Sequence, residues 1–136
     1  MARKLFVNLP VKDLSKSVEF FTKLGFDFNP DFTDENATCI VLSEEAFGML
    51  LVEDFFATFT NKKIADAVKN TEAILALSAE SREEVDELAD NALAAGAQPS
   101  NDPTDKGFMY TRSFQDLDGH LWEVVYMDME AEGAPG

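Results

Sequence analysis

The stretch FQDLDGHLWEVVYMD, residues 114–128, places an Asp-Gly turn signal ahead of a strand-like run with a carboxylate, Glu123, at its centre. Side chains of a strand alternate between faces, so Glu123 shares a face with Leu121 and Val125, and Trp122, Val124 and Tyr126 share the other. Both faces are largely apolar. A carboxylate turned into an apolar interior costs several kcal/mol unless a cation, a donor or water compensates it. Glu123 therefore stands on a solvated face or in a site. FMYTRSF (108–114) reads as the preceding strand, joined to this one by a short connection around Asp118-Gly119.

Working backward, AILALSA (73–79) reads as a strand and SREEVDELADNALAAG (81–96) as a helix, with Ser81 and Glu84 at capping-box spacing. Val85, Leu88, Ala92 and Leu93 form its expected buried stripe, Gly96 closes it, and a further strand is expected near 97–101. The first half has the same order. LFVNLPV (5–11) is an expected strand, and residues 13–24 an expected helix, with Asp13 or Ser15 as cap and Leu14, Val18, Phe21 and Leu24 at helical spacing. Gly25 ends that helix, and strands are expected at FDFNPDF (26–32), ATCIVLS (37–43) and FGMLLVE (47–53). KLGFDF and AAGAQP occupy matching places, so the chain reads as one βαβββ unit repeated.

The fold class expected is α+β, with a single domain over 1–130 divided into module one (4–54), a connector (55–72) and module two (73–128), followed by a flexible tail (129–136). The connector, FFATFTNKKIADAVKNTE, is expected to pack on the domain through a short helix at IADAVKN (64–70). The alternative is that Phe55, Phe56, Phe59 and Ile64 cover a ligand or a partner subunit.

A length of 136 residues with 46% hydrophobic content suits one core of ordinary size. The formal charge of -15 repels phosphate backbones, and the 11 Lys and Arg residues form no stripe that would neutralise them, which argues against nucleic acid as a partner. Cys39, the single cysteine, reads as a small buried thiol and leaves no disulfide within one chain. At the amino terminus the apolar run is broken by Asn8, Pro10 and Lys12, too early for a signal-peptide core, and no apolar run is long enough to span a bilayer. The expected location is cytoplasmic, with no membrane partner.

The residues marked as ligand-binding candidates are Asn8, Tyr110, Arg112 and Glu123. Asn8 lies opposite Val7 and Leu9 on its strand and can both donate and accept; the alternative is an amide bonded to the local chain beside Pro10. Tyr110 and Arg112 share a face, and Arg112 has three candidate partners: an anionic ligand, Glu123, or a surface acid. His120 is expected to be exposed in its turn. Nothing marks a catalytic Ser or Cys, and there is no Gly-rich phosphate loop.

VKDLSKSVEFFTKLGF (11–26) and DLDGHLWEV (116–124), within a duplicated βαβββ unit spanning roughly residues 4–128, resemble the vicinal oxygen chelate superfamily, which contains glyoxalase I, bleomycin-resistance proteins and extradiol dioxygenases. The resemblance implies two modules curled into a cup that holds a ligand, with a divalent ion bound by His and Glu in the metal-dependent members. Glu123 falls on the glutamate ligand of that pattern. The other places depart from it: Asn8 stands where His is common, the remaining ligand places fall near Leu50 and Ala76, and the chain has one His. Glu53 adds a donor only if a bulge changes the parity of its strand. A divalent ion needs about four to six donors, at least three of them normally from protein.

The resemblance thus implies a glyoxalase/bleomycin-resistance-like protein that binds a small organic molecule with no cofactor and no intact metal centre. The alternative is a metal-dependent lyase, isomerase or dioxygenase, lactoylglutathione-lyase-like or dioxygenase-like in activity, with Glu123 as catalytic residue and metal ligand. Modules of the family often pair across chains, which implies a homodimer, and a non-catalytic dimeric interaction module is a third reading.

Overall fold

The computed structural model describes residues 3–128 and 130, and the chain divides into two compact units at Ala65/Asp66. The tail expected at 129–136 lies, apart from Glu130, outside the described residues.

The first unit is β1 (Leu5–Val11), α1 (Leu14–Lys23), β2 (Asp27–Asn29), β3 (Ala37–Val41) and β4 (Ala46–Val52), in the sheet order β1-β4-β3-β2. β1 runs parallel to β4 and the other pairs are antiparallel. α1 starts where the Asp13 carboxylate accepts from the Lys16 amide at 3.0 Å. It stops at Gly25, whose φ of +96° lets the Phe26 amide reach back to the Phe21 carbonyl at 3.1 Å. Its buried face is Ser17, Phe20 and Phe21, which packs against β3 and β4, and Leu9, Val11, Ile40 and Leu50 are buried in the core.

Two strands are shorter than the apolar pattern predicts. FDFNPDF is strand only to Asn29, because Pro30 has no amide for the ladder and the Asn29 side chain accepts from the Asp31 amide, which starts a 3-10 turn over Pro30–Phe32. β3 ends at Val41 because the Ser43 hydroxyl accepts from the Glu45 and Ala46 amides and turns the chain. β4 ends at Val52, and Glu53 opens a short helix, α2 (Glu53–Phe56), so no bulge brings it onto the sheet. The helix expected at 64–70 is a single turn, in which Asp66 accepts from the Val68 amide through its side chain and from the Lys69 and Asn70 amides through its carbonyl.

The second unit repeats the connectivity: β5 (Ile74–Ala79), α3 (Arg82–Ala94), β6 (Gln98–Pro99), β7 (Thr104–Asp105), β8 (Met109–Gln115) and β9 (Leu121–Met127). The order β5-β9-β8-β6, with β5 parallel to β9, matches that of the first sheet. Ser81 caps α3 by accepting from the Glu84 amide at 3.1 Å, and Glu84 reaches back to the Glu80 amide at 2.9 Å. Gly96, at φ +112°, closes it as Gly25 closes α1, with the Ala97 amide on the Ala92 carbonyl. The buried positions of α3 are Val85, Ala89 and Ala92; Leu93, expected in the stripe, is 37% exposed.

The strand expected near 97–101 is only the two-residue β6; β7, at Thr104–Asp105, lies outside that expectation, and both pair with β8. Between them the Ser113 hydroxyl accepts from the Asn101 amide at 2.9 Å and stands in for the missing ladder bond. Among the described residues no helix is long and apolar enough to cross a membrane.

Candidate functional site

The pairing of β8 with β9 decides which candidates share a face. Ser113 lies opposite Glu123, and Ala76 of β5 lies on its other side. Partners in register point the same way, so one face of the second sheet carries Ala76, Glu123 and Ser113 in a row, with Ser78, Val125 and Thr111 on one side and Ile74, Leu121 and Gln115 on the other. Tyr110, Arg112 and Phe114 point the opposite way, with Trp122, Val124 and Tyr126, toward α3. The sequence leaves Arg112 as a candidate partner for Glu123; the structure places the two on opposite faces.

On the α3 side, the Tyr110 hydroxyl donates to Asp86 Oδ1 at 2.6 Å, and Arg112 donates to Asp86 at 3.1 Å and to Asp90 at 2.8 Å. Arg82 forms a forked pair with Asp105, at 2.8 and 3.0 Å, and stacks over the Tyr110 ring at 5.1 Å. The titration shifts follow this network. The Tyr110 hydrogen bond, then Arg112, holds the Asp86 carboxyl below its ordinary value, and the same hydrogen bond raises Tyr110 above its own. Burial works against the Arg112 cation, but Asp90 and Asp86 outweigh it and raise its pKa. The Arg82 fork and the Gly107 amide bring Asp105 down to about 2. Tyr110 and Arg112, read from the sequence as ligand-binding, are thus committed to fastening α3 onto β8.

Glu123 is different. It is half-buried at the centre of the face away from α3, and among the described residues its carboxylate makes no hydrogen bond or ion pair. Around it are half-buried Leu121 and Val125 and exposed Ala76, with Ile74 and Met127 at the rim, 51% and 42% exposed. The surface is mixed: Leu121, Val125, Ile74 and Met127 supply apolar area, and Ser78, Thr111, Ser113 and Gln115 supply neutral polar groups around one strong acceptor.

In the first unit Asn8 occupies the exposed face of β1, in one row with Met49 and Cys39; Leu50 belongs to the opposite, buried side. Burial pushes the Cys39 thiol up, away from its nucleophilic form.

Sequence reasoning missed the turn between β8 and β9. Asp116 is buried, and its carboxylate accepts from the Asp118 amide (2.9 Å), the His120 amide (3.0 Å) and the Trp122 indole (2.9 Å). Burial raises its pKa against these donors and the nearby His120, which favour the ionised form. His120, expected to be exposed, is 3% exposed, with Nδ1 3.2 Å from Glu72 Oε1. The D-x-D-G-x-x-W spacing already carried the Asp116 and Trp122 ends of this motif; the Glu72 partner, far upstream, left no local signal.

A divalent ion fits this constellation poorly. Ala76 and Ser113 flank Glu123, and neither offers the charged or imidazole donor that such an ion needs. Among the described residues no three His, Cys, Asp or Glu side chains converge as a metal site.

Comparison with known proteins agrees with this architecture. Residues 3–43 match the family described as bleomycin resistance protein-like N-terminal. No curated protein matches the chain. Similar solved structures include a hypothetical protein from S. aureus (28% identity, 93% of this chain and 95% of that one, TM-score 0.77). A glyoxalase-related enzyme from Fulvimarina pelagi is 19% identical, covering 100% of this chain and 96% of that one, with TM-score 0.78. A glyoxalase/bleomycin resistance protein/dioxygenase family enzyme from Burkholderia phytofirmans is 16% identical, covering 90% and 96%, with TM-score 0.74. The class is therefore an α+β protein of the glyoxalase/bleomycin-resistance fold. Within that class, the family match and the structural neighbours bear out the vicinal oxygen chelate resemblance read from the two sequence signatures.

Proposed function

We propose that the protein binds a small organic molecule against the Glu123 face of its second sheet, without the multi-ligand metal centre of metal-dependent glyoxalases. One observation carries the reading: an unpartnered, half-buried carboxylate at the middle of a strand face of mixed apolar and neutral polar groups. A strong acceptor on such a surface orients a ligand through a donor group while the apolar part of the face supplies binding energy. Glu123 is also the group able to take a proton from a bound ligand, should the protein be an enzyme. The bleomycin- and fosfomycin-resistance names among the structural neighbours belong to proteins that share this fold, and they support a small-molecule ligand over a macromolecular one.

The test is a thermal-shift screen against small aromatic and thiol-containing compounds, with metal analysis of protein purified without chelators. A ligand at 100 times its Kd stabilises by about 2.7 kcal/mol. The expected result is one or more hits weakened in Glu123→Gln, on protein free of stoichiometric metal. A bound divalent ion lost in Glu123→Ala would replace this reading with the metal-dependent lyase, isomerase or dioxygenase. Absence of any hit would favour a dimeric interaction module.

A further inference from the structure

We propose that a small cavity beside the β8–β9 turn is an oxyanion site that takes a carboxylate or phosphate group of a small molecule. The cavity measures about 100 Å³; residues 67–71 of the connector wall one side, and Ser100, Gln115, Gly119 and Leu121 the other. At about 30 Å³ per water in the liquid, it has room for a group of carboxylate or phosphate size.

Its chemistry runs against the rest of the chain. The protein carries 26 acidic and 11 basic side chains, yet this lining contains Lys69 and no carboxylate. Four acids flank the lining in sequence. Asp66 Oδ1 accepts from the Val68 amide at 3.1 Å, and Glu72 Oε1 faces His120 Nδ1 at 3.2 Å. The Asp116 carboxylate accepts from the Asp118 and His120 amides and the Trp122 indole, and Asp118 is half-buried in the turn beside Gly119. Among the described residues Lys69 has no ion-pair partner. Thr71 and Ser100 add hydroxyls to the same lining, and Asn70 and Gln115 add amide groups that each also donate, at 3.5 Å, to the Asp66 and Pro99 carbonyls. One cation among neutral donors, in a recess that excludes part of the solvent, is the arrangement that binds an oxyanion.

The recess is also held in shape. Gly119 has φ +88°, and a Cβ there would lie 2.8 Å from Val68 N and Cα, so the connector backbone rests directly on the turn. The His120–Glu72 contact fastens the next residues of each segment. This assignment does not depend on the reading of Glu123.

The test is an amide NMR titration of the whole chain with sodium phosphate and, separately, sodium acetate, with sodium chloride holding ionic strength constant. Saturable shifts are expected at 67–71, 100 and 115–121. Lys69→Met, an exposed substitution, should weaken binding about tenfold. Lys106→Met, which removes the same charge from an exposed position outside the lining, should not change it. Saturation by phosphate or by acetate supports the site and tells which group it prefers. No saturable shift with either ion overturns it, and so does an equal response in Lys69→Met and the unsubstituted protein.

Discussion

Replacing Gly119 by Ala separates two costs that a glycine usually hides together. Gly107 and Gly119 lie in the same unit with nearly the same backbone, φ +82° and +88°. A Cβ on Gly107 meets nothing within 4 Å, whereas one on Gly119 lies 2.8 Å from Val68 N and Cα and 2.9 Å from the Ala67 carbonyl carbon. Left-handed backbone costs an alanine about 1–2 kcal/mol, and both variants bear that cost. Only Gly119→Ala also has to push backbone aside, and overpacking of this kind costs about 1–3 kcal/mol more. With a urea slope of about 1–3 kcal/mol/M, the two midpoints should differ by roughly 1 M, Gly119→Ala being the lower. Trp122, the single tryptophan and 1% exposed, reports this unit by its fluorescence. Equal midpoints for the two variants would refute the close approach of connector and turn.

Asp116→Asn should destabilise the same unit by about 1–3 kcal/mol in urea unfolding, because an amide cannot accept from the Trp122 indole and from both backbone amides at once. Tyr110→Phe removes the largest cause of the Asp86 shift, so carbon NMR should find the Asp86 carboxyl moved up toward its ordinary 3.8; an unchanged value would mean that Arg112 alone sets it. Asp105 should titrate near 2 in the folded protein. Since that lies below the unfolded value of 3.8, the Arg82–Asp105 pair stabilises fully above about pH 4 and loses its contribution as pH falls toward 2. Arg82→Gln should shrink that segment of the acid-unfolding profile, leaving only the part that the Gly107 amide sustains.

The repeated βαβββ order, both helices and their ends were legible in the sequence because their signals act over a few residues. Asp13 and Ser81 accept from amides three positions on, and Gly25 and Gly96 supply the positive φ that closes each helix. The position of Glu123 among Leu121 and Val125 follows from strand alternation alone. What the apolar pattern could not show is what each face meets. Tyr110 and Arg112 share a face by parity, but their turn away from Glu123 depends on Ser113 standing opposite Glu123, and their loss to Asp86 and Asp90 depends on where α3 packs. His120 sits in a turn that reads as exposed, yet it is 3% exposed and its Nδ1 meets a glutamate far upstream in the connector. Local hydrogen bonds are written in neighbouring residues; burial and pairing between distant segments are settled by tertiary packing, and the candidate cavity, made of three separated stretches of chain, belongs wholly to the second kind.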